Sequence, residues 1–261
     1  MQKLKLVLRY FKFLSQSFSK YDVHSPFLYE LITGVFENNS FFNDYKLVED
    51  LKSQLIKNKD EITITDLGAG SKKGNRTKKL ISQIAKNSSK PKKLGRLLYR
   101  LSAEFKPRYI LELGTSFGLS TSYMALGNHD SKITTIEGCP NISAIANNNF
   151  NQLSISNVKL YTGNFDEVLP DILETLPELN LVFIDGNHKK EPTIRYFEQC
   201  LDKSANETCI IFDDIHWSDE MEDAWNYIIQ NNKVTLSVDM FYMGLVFFRK
   251  ELTKQNFVIR F

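Results

Sequence analysis

Two rhythms of apolar and polar positions divide this 261-residue chain. From about residue 108 onward, short apolar runs alternate with segments of helical period. "RYILEL" (108–113), "KITTIE" (132–137), "VKLYTG" (158–163), "LNLVFID" (179–185) and "TCIIFDD" (208–214) read as five strands. Helical periodicity falls between them, at about 119–127, 141–153, 166–176, 191–201 and 218–230. Such alternation predicts an α/β fold, a parallel sheet with helices on both faces. "KVTLSVDMFYMGLVFFRK" adds two strands joined by a turn near Gly244, its Phe and Met residues assigned to the core. The expectation is a doubly wound sheet of about seven strands, mostly parallel with an antiparallel last strand.

The first sixty residues read differently, as helix. "HSPFLYELITGVF" places Ser25 as N-cap and Pro26 at the first helical position. "DYKLVEDLKSQLIKNKDE" puts Leu47, Leu51, Leu55 and Ile56 on one face. "MQKLKLVLRYFKFLSQSF" mixes Lys and Arg through its apolar positions, with no long apolar core and no small-residue cleavage site. It reads as neither a signal peptide nor a membrane span. Packing of this basic amphipathic helix onto the domain is preferred over rest on a membrane surface. "ITITDL" (62–67) alternates like a half-buried strand; a basic helical stretch should follow, then "KKLGRLLYRLSAEF", a helix stopped by Pro107. The division is a mostly helical extension at 1–89, with a short strand near 62–67, and a main domain at 90–261. There is no internal repeat and no low-complexity segment.

Composition is that of an ordinary globular protein, but charge is uneven. Thirteen basic residues between Ser71 and Arg108 face one acid, Glu104: a net +12, which leaves −10 elsewhere in a chain of total +2. That surplus suits an acidic partner such as RNA, or a solvated face. Cys139, Cys200 and Cys209 are odd in number with no close pair, which fits a reducing cytoplasm and gives no metal cluster.

Two stretches look like a strand running into a glycine turn: "TDLGAGSKKG" (65–74) and "LELGTSFGLS" (111–120). In open α/β sheets the ligand sits beyond the carboxyl ends of the strands. The first strand of the alternating run selects the second stretch. Gly114 permits the tight turn, and Gly118 lets backbone approach a ligand at the next helix start. Glu112 lies inside the strand end; Glu137 ends the next strand, where a carboxylate can accept both hydroxyls of a ribose. Ser116 replaces the middle glycine that a pyrophosphate needs, which favours a nucleoside without phosphates, S-adenosylmethionine above all. "TDLGAGSKKG" lacks a following acid-terminated strand, so Gly68 and Gly70 read as a plain turn.

At this point residues from about 90 to 249 resemble a class I S-adenosylmethionine-dependent methyltransferase, nearest the cation-dependent catechol and caffeoyl-CoA O-methyltransferase group. "ILELGTSFGLST", "TTIEG", "GNFDEVLP", "LVFIDGNHKK" and "IIFDDIHWS" carry the likeness, in the family's order. The resemblance implies a Rossmann-like fold, with Glu112, Gly114, Gly118 and Ser120 on the methionine part. It implies Glu137 on the ribose and Asn164 and Phe165 by the adenine, with Thr115, Ser116, Gly138 and Asp185 in the same cofactor set. It does not cover residues 1–89.

Hard cations want clustered carboxylates, and Asp185, Asp213 and Asp214 end two adjacent strands. The family has Asp, Asp and Asn there; Asp214 departs from it. These aspartates could hold Mg2+ or another divalent cation, or they could cap helices and turns. The family's general base is a lysine three residues beyond the first aspartate. Here His188 stands in that place and Lys189 follows; either could take a proton beside Asp185, or His188 could stack on the adenine edge. His216 points by sequence to the same cleft, or is a loop histidine; Trp217 could wall an acceptor pocket or pack in the core. The resulting expectation is O-methylation of a small hydroxylated molecule, in a cytoplasmic protein that a homodimer would also suit. The alternatives are a tRNA or rRNA methyltransferase using the 71–108 segment, and a non-catalytic binder on a cofactor fold.

Overall fold

The computed structural model describes residues 2–66 and 75–261. The chain opens with α1 (Gln2–Gln16), a 3-10 turn (Lys20–Asp22), and α2 (Pro26–Leu31), which runs into a π-turn (Ile32–Phe36). Next come α3 (Asn43–Lys57), β1 (Glu61–Asp66), β2 (Asn75–Leu80), α4 (Ile81–Ser88) and α5 (Lys92–Phe105). Strand and helix then alternate: β3 (Tyr109–Leu113), α6 (Leu119–Gly127), β4 (Lys132–Glu137), α7 (Pro140–Gln152), β5 (Val158–Thr162) and α8 (Phe165–Thr175). The rest is β6 (Leu179–Ile184), α9 (Lys190–Leu201), β7 (Ser204–Asp213), α10 (Asp219–Gln230), β8 (Leu236–Asp239), β9 (Met243–Phe247) and β10 (Gln255–Val258). Two compact units result: Met1–Asn38 with Leu176–Phe261, and Asn39–Thr175.

In the second unit β3, β4 and β5 are parallel neighbours, Leu111 opposite Thr134 and Glu137 opposite Thr162. β3 and β4 are buried along most of their length, Thr134, Thr135 and Glu112 included, whereas β5 carries no buried residue. Helix α5 lies against α6 closely enough that a Cβ on Gly95 would come within 2.4 Å of the Tyr123 ring. The inner face of α3 is Tyr45, Val48, Leu51 and Leu55, whereas Leu47 is exposed. This corrects the expected face: Tyr45 packs its ring on Phe42 and Tyr99, and that aromatic anchor rotates Leu47 outward.

The basic stretch is a second correction. Residues 75–80 form a strand, β2, antiparallel to β1 with Thr63 opposite Lys78, and helix begins only at Ile81. Backbone pairing with β1 overrides the helix propensity of its lysines, whose side chains stay exposed. The glycine turn "TDLGAGSKKG", Gly68 and Gly70 included, lies outside the described residues from position 67 on.

In the first unit β6 and β7 are parallel; β9 is antiparallel to β7 and to β8, and β10 is parallel to β8. The fold is thus α/β and mostly parallel, with β9 as the antiparallel strand and the short β10 beyond it. The turn joining β8 to β9 is at residues 240–242 rather than Gly244, which sits inside β9. A Cβ there would lie 2.6 Å from the Trp225 ring, so Gly244 makes room for α10 and does not bend the chain. Phe197, Phe212 and Trp225 continue this core ring against ring. Ser25 caps α2 as its sequence implies, its Oγ accepting the Leu28 N–H.

Candidate active site

The glycine turn of the second unit is built by backbone first. The N–H groups of Gly114 and Thr115 both donate to the Ile136 carbonyl of β4. Gly114 (φ 104°), Ser116 (φ 48°) and Gly118 (φ 78°) all take left-handed conformations, which reverses the chain within five residues. Gly118 starts α6, and a Cβ on it would come within 2.5 Å of the Phe150 ring. Close packing against α7 therefore demands glycine there, in addition to any ligand.

Glu137 ends β4. Its Oε2 accepts the Ser116 N–H at 2.8 Å and its Oε1 the Cys139 N–H at 2.9 Å. Burial pushes its pKa up, while the amides of Cys139, Ser116 and Gly138 pull it down; burial prevails. Glu112 is fully buried in β3, its Oε2 accepting from the hydroxyls of Thr121 and Thr135. Thr115 is buried and bonds Thr135, and Ser120 is half-buried on the first turn of α6. Asn164 precedes α8 and its Oδ1 accepts the Asp166 N–H; Phe165 opens that helix.

A separate constellation belongs to the first unit. Beyond β6 the loop 185–189 folds back on itself, with Asn187 (φ 65°) and His188 (φ 34°) left-handed. The His188 N–H donates to the Gly186 carbonyl, and Asn187 Nδ2 donates to Tyr196 Oη at 2.6 Å. The imidazole is thereby returned to Asp185, Nε2 to Oδ1 3.5 Å. Asp213, the last residue of β7, joins them: ligand atoms of Asp185, His188 and Asp213 all lie within 4.8 Å of one another. Non-glycine residues in left-handed backbone cluster where a site is held under constraint.

Asp214 is not part of that group. Consecutive residues at a strand end point to opposite faces, and Asp214 is itself left-handed (φ 54°), its N–H donating to the Tyr242 carbonyl. The third donor of the group is His188 instead. Lys189 is exposed at the N-cap of α9.

His216 stands apart from this group as well. Its Nδ1 lies 2.8 Å from Glu222 and its Nε2 2.8 Å from Asp239, and the ring stacks on Phe241. Arg9 completes the network through Glu222 (2.9 Å), Asp219 and the His216 carbonyl. Burial lowers the His216 pKa, but the Asp239 and Glu222 carboxylates outweigh it and hold the ring above its ordinary value. A cavity of about 280 Å³ opens beside these groups, lined also by Trp225 and Asn256. Asp239 is remote from His216 in sequence, and nothing local signals the pair. Trp217 is half-exposed and not a core residue.

Comparison with known proteins bears on these two constellations. A family model described as a methyltransferase domain matches residues 111–215, from β3 to just past β7. A catechol O-methyltransferase of Niastella koreensis is 32% identical over 124 residues, 46% of this chain. That match spans about half, 55%, of the relative's own length. Among solved structures, an O-methyltransferase from Bacillus cereus in complex with SAH superposes with a TM-score of 0.58 at 18% identity, covering 83% of this chain and 94% of that one. The SAH-bound methyltransferase PaMTH1 of Podospora anserina gives 0.61 at 14% identity, over 87% and 98%. These two share the fold. The resemblance read from the motifs is met in both comparisons: residues 111–215 match a methyltransferase domain, and the chain is similar to an O-methyltransferase in sequence over part of its length and to methyltransferases in fold.

Proposed function

We propose that this protein transfers the methyl group of S-adenosylmethionine to a hydroxyl of a small acceptor, with catechol-like diols the first class to try. The carrying observation is the Glu137 carboxylate, tied to the glycine turn at Ser116 inside the matched domain. A carboxylate has about four acceptor positions, so the turn's amides do not exhaust it, and the remainder suits sugar hydroxyls. Glu112, Gly114, Thr115, Ser116, Gly118 and Ser120 are assigned to the methionine portion, Gly138, Asn164 and Phe165 to the nucleoside side, and Asp185 to both cofactor and cation. Bound S-adenosylmethionine would supply a methyl on a sulfonium, which a hydroxyl oxygen takes by displacement while sulfur keeps the electron pair.

The chain's own part is alignment and the hydroxyl's proton. His188 is the nearer candidate base by its pairing with Asp185; Lys189, exposed at the start of α9, is the other. For a divalent cation the donor set is apt: donors across an ion at about 2.3 Å stand about 4.6 Å apart, comparable to the 4.8 Å span of Asp185, His188 and Asp213. When bound there, such a cation would lower the pKa of the acceptor hydroxyl. If His188 serves as a ligand, Lys189 is left as the base. Asp214, the family's third position, would then act from outside the group.

The basic segment lends an RNA acceptor little support. Lys92 and Arg96 are paired with Glu49, and Arg100 is buried. A cytoplasmic setting accords with three cysteines that are all buried and free. Residues 90–261 are taken as the methyltransferase part and 1–89 as its extension. The test is transfer from labelled S-adenosylmethionine into a panel of catechols and other hydroxylated molecules, beside RNA. Labelled methyl ethers are expected; no cofactor binding by calorimetry, or label in RNA alone, would overturn the proposal.

A further inference from the structure

The β1–β2 hairpin and α4 precede the matched residues 111–215, yet they touch that domain beside the Glu137 carboxylate. Glu137 accepts the Ser116 amide on one oxygen and the Cys139 amide on the other. Ser116 and Cys139 each have a further partner, and both partners come from the segment 61–88.

On the Ser116 side the partner is Ser88, at the end of α4. The two hydroxyl oxygens stand 2.9 Å apart. Ser88 gives its own proton to the Ile84 carbonyl, also at 2.9 Å, so Ser116 is the donor of the pair. Ser116 is left-handed (φ 48°), a backbone state that persists in a non-glycine residue only where its surroundings hold it. The hydroxyl bond to Ser88 is one such hold, beside the Glu137 carboxylate itself.

On the Cys139 side the partner is β1. The Thr65 N–H donates to Cys139 Sγ at 3.3 Å, and the thiol faces the Thr63 carbonyl as donor at 3.8 Å. Asn141 Nδ2, in the first turn of α7, donates to that same carbonyl at 2.6 Å. Thr63 and Thr65 are two residues apart, so their main-chain groups leave β1 by one edge. That edge is seated on the start of α7, where the Cys139 amide meets Glu137.

We propose that Ser88 and Asn141 are positioning residues for S-adenosylmethionine: they tie α4 and β1 to the residues whose amides bond the Glu137 carboxylate, so the hairpin and the bound cofactor stabilise each other. The proposal rests on the ribose assignment of Glu137 and extends it to the segment 61–88.

The experiment is calorimetric titration of the full chain with S-adenosylhomocysteine. Ser88→Ala and Asn141→Ala should each weaken binding about 2- to 10-fold, the size of one net hydrogen bond, and together at least about fivefold. Ser88→Thr keeps the hydroxyl and should recover the affinity lost in Ser88→Ala. In a Glu137→Ala chain the same double variant should change affinity by less than about twofold, because the group being positioned is gone. Coupling of this kind is reciprocal, so hydrogen exchange of residues 61–66 should slow when S-adenosylhomocysteine is bound. Melting of the ligand-free proteins checks folding. Undiminished affinity of the double variant would overturn the proposal, as would unchanged exchange at 61–66. So would an equal fold-loss with and without Glu137, since the contacts would then support the fold in general. Absence of binding by the parent chain is a separate failure: it removes the cofactor reading, and this assignment with it.

Discussion

The Glu137 carboxylate accepts the backbone N–H of Ser116 at 2.8 Å, joining the end of β4 to the turn that follows β3. If that carboxylate also clasps the ribose, Glu137→Ala should weaken S-adenosylmethionine about 10- to 100-fold, roughly 1.4–2.8 kcal/mol for a charged hydrogen-bonding group. Because burial holds its pKa above the ordinary carboxylate value, affinity should fall on acidification earlier than an ordinary glutamate would allow. Calorimetry across acidic pH measures both; equal affinities for variant and parent would reject the ribose assignment.

Gly118→Ala combines two penalties. Its φ of 78° strains any side chain, and the new Cβ would lie 2.5 Å from the Phe150 ring. Thermal unfolding should register a loss of about 1–4 kcal/mol, from backbone strain and overpacking together. Phe150→Leu in the same chain should recover only the packing share. Full recovery would show that the left-handed backbone costs nothing.

The two aspartates at the end of β7 should behave differently. Asp213 belongs to the group with Asp185 and His188, and Asp214 does not. Manganese titrated by calorimetry should bind about 10- to 100-fold more weakly to Asp213→Ala, as expected on loss of one carboxylate ligand. Asp214→Ala should stay within about threefold of the parent, roughly 0.6 kcal/mol. The opposite ranking would restore the all-aspartate site expected from sequence.

His216 makes stability depend on pH. Its pKa is raised in the folded protein, burial opposing but the Asp239 and Glu222 carboxylates prevailing. A raised pKa stabilises the fold fully below the unfolded value, and this contribution is lost as pH rises through the folded value. The window thus opens near the ordinary 6.5 and extends upward. The melting temperature should decline from about pH 6 to about pH 9, and His216→Gln should flatten that decline. Asp219 shares the network, and its hydrogen bond from Lys5 holds its pKa below the ordinary carboxylate value, outside this range. An identical slope in the variant would place the dependence elsewhere.

Sequence by itself determined the run of strands and helices from residue 109 to 230, to within a residue or two at most ends. That information is local: strands covered on both faces are continuously apolar, helices between them are periodic, and Ser25–Pro26 or Pro107 mark boundaries through backbone chemistry alone. It also singled out the turn at Gly114–Gly118 and the acids at 137, 185 and 213, because residues at strand ends keep their place whatever packs around them. Only the tertiary structure decided which neighbours those residues have. Asp213 and not Asp214 meets Asp185, since side chains alternate along a strand and the left-handed loop brings His188 round instead. His216 found Glu222 and Asp239, and Gly118 found Phe150, through contacts between elements distant in the chain. The segment 75–80 became a strand because β1 was there to pair with it. Pairings of this kind depend on register and packing, which no local pattern of residues encodes.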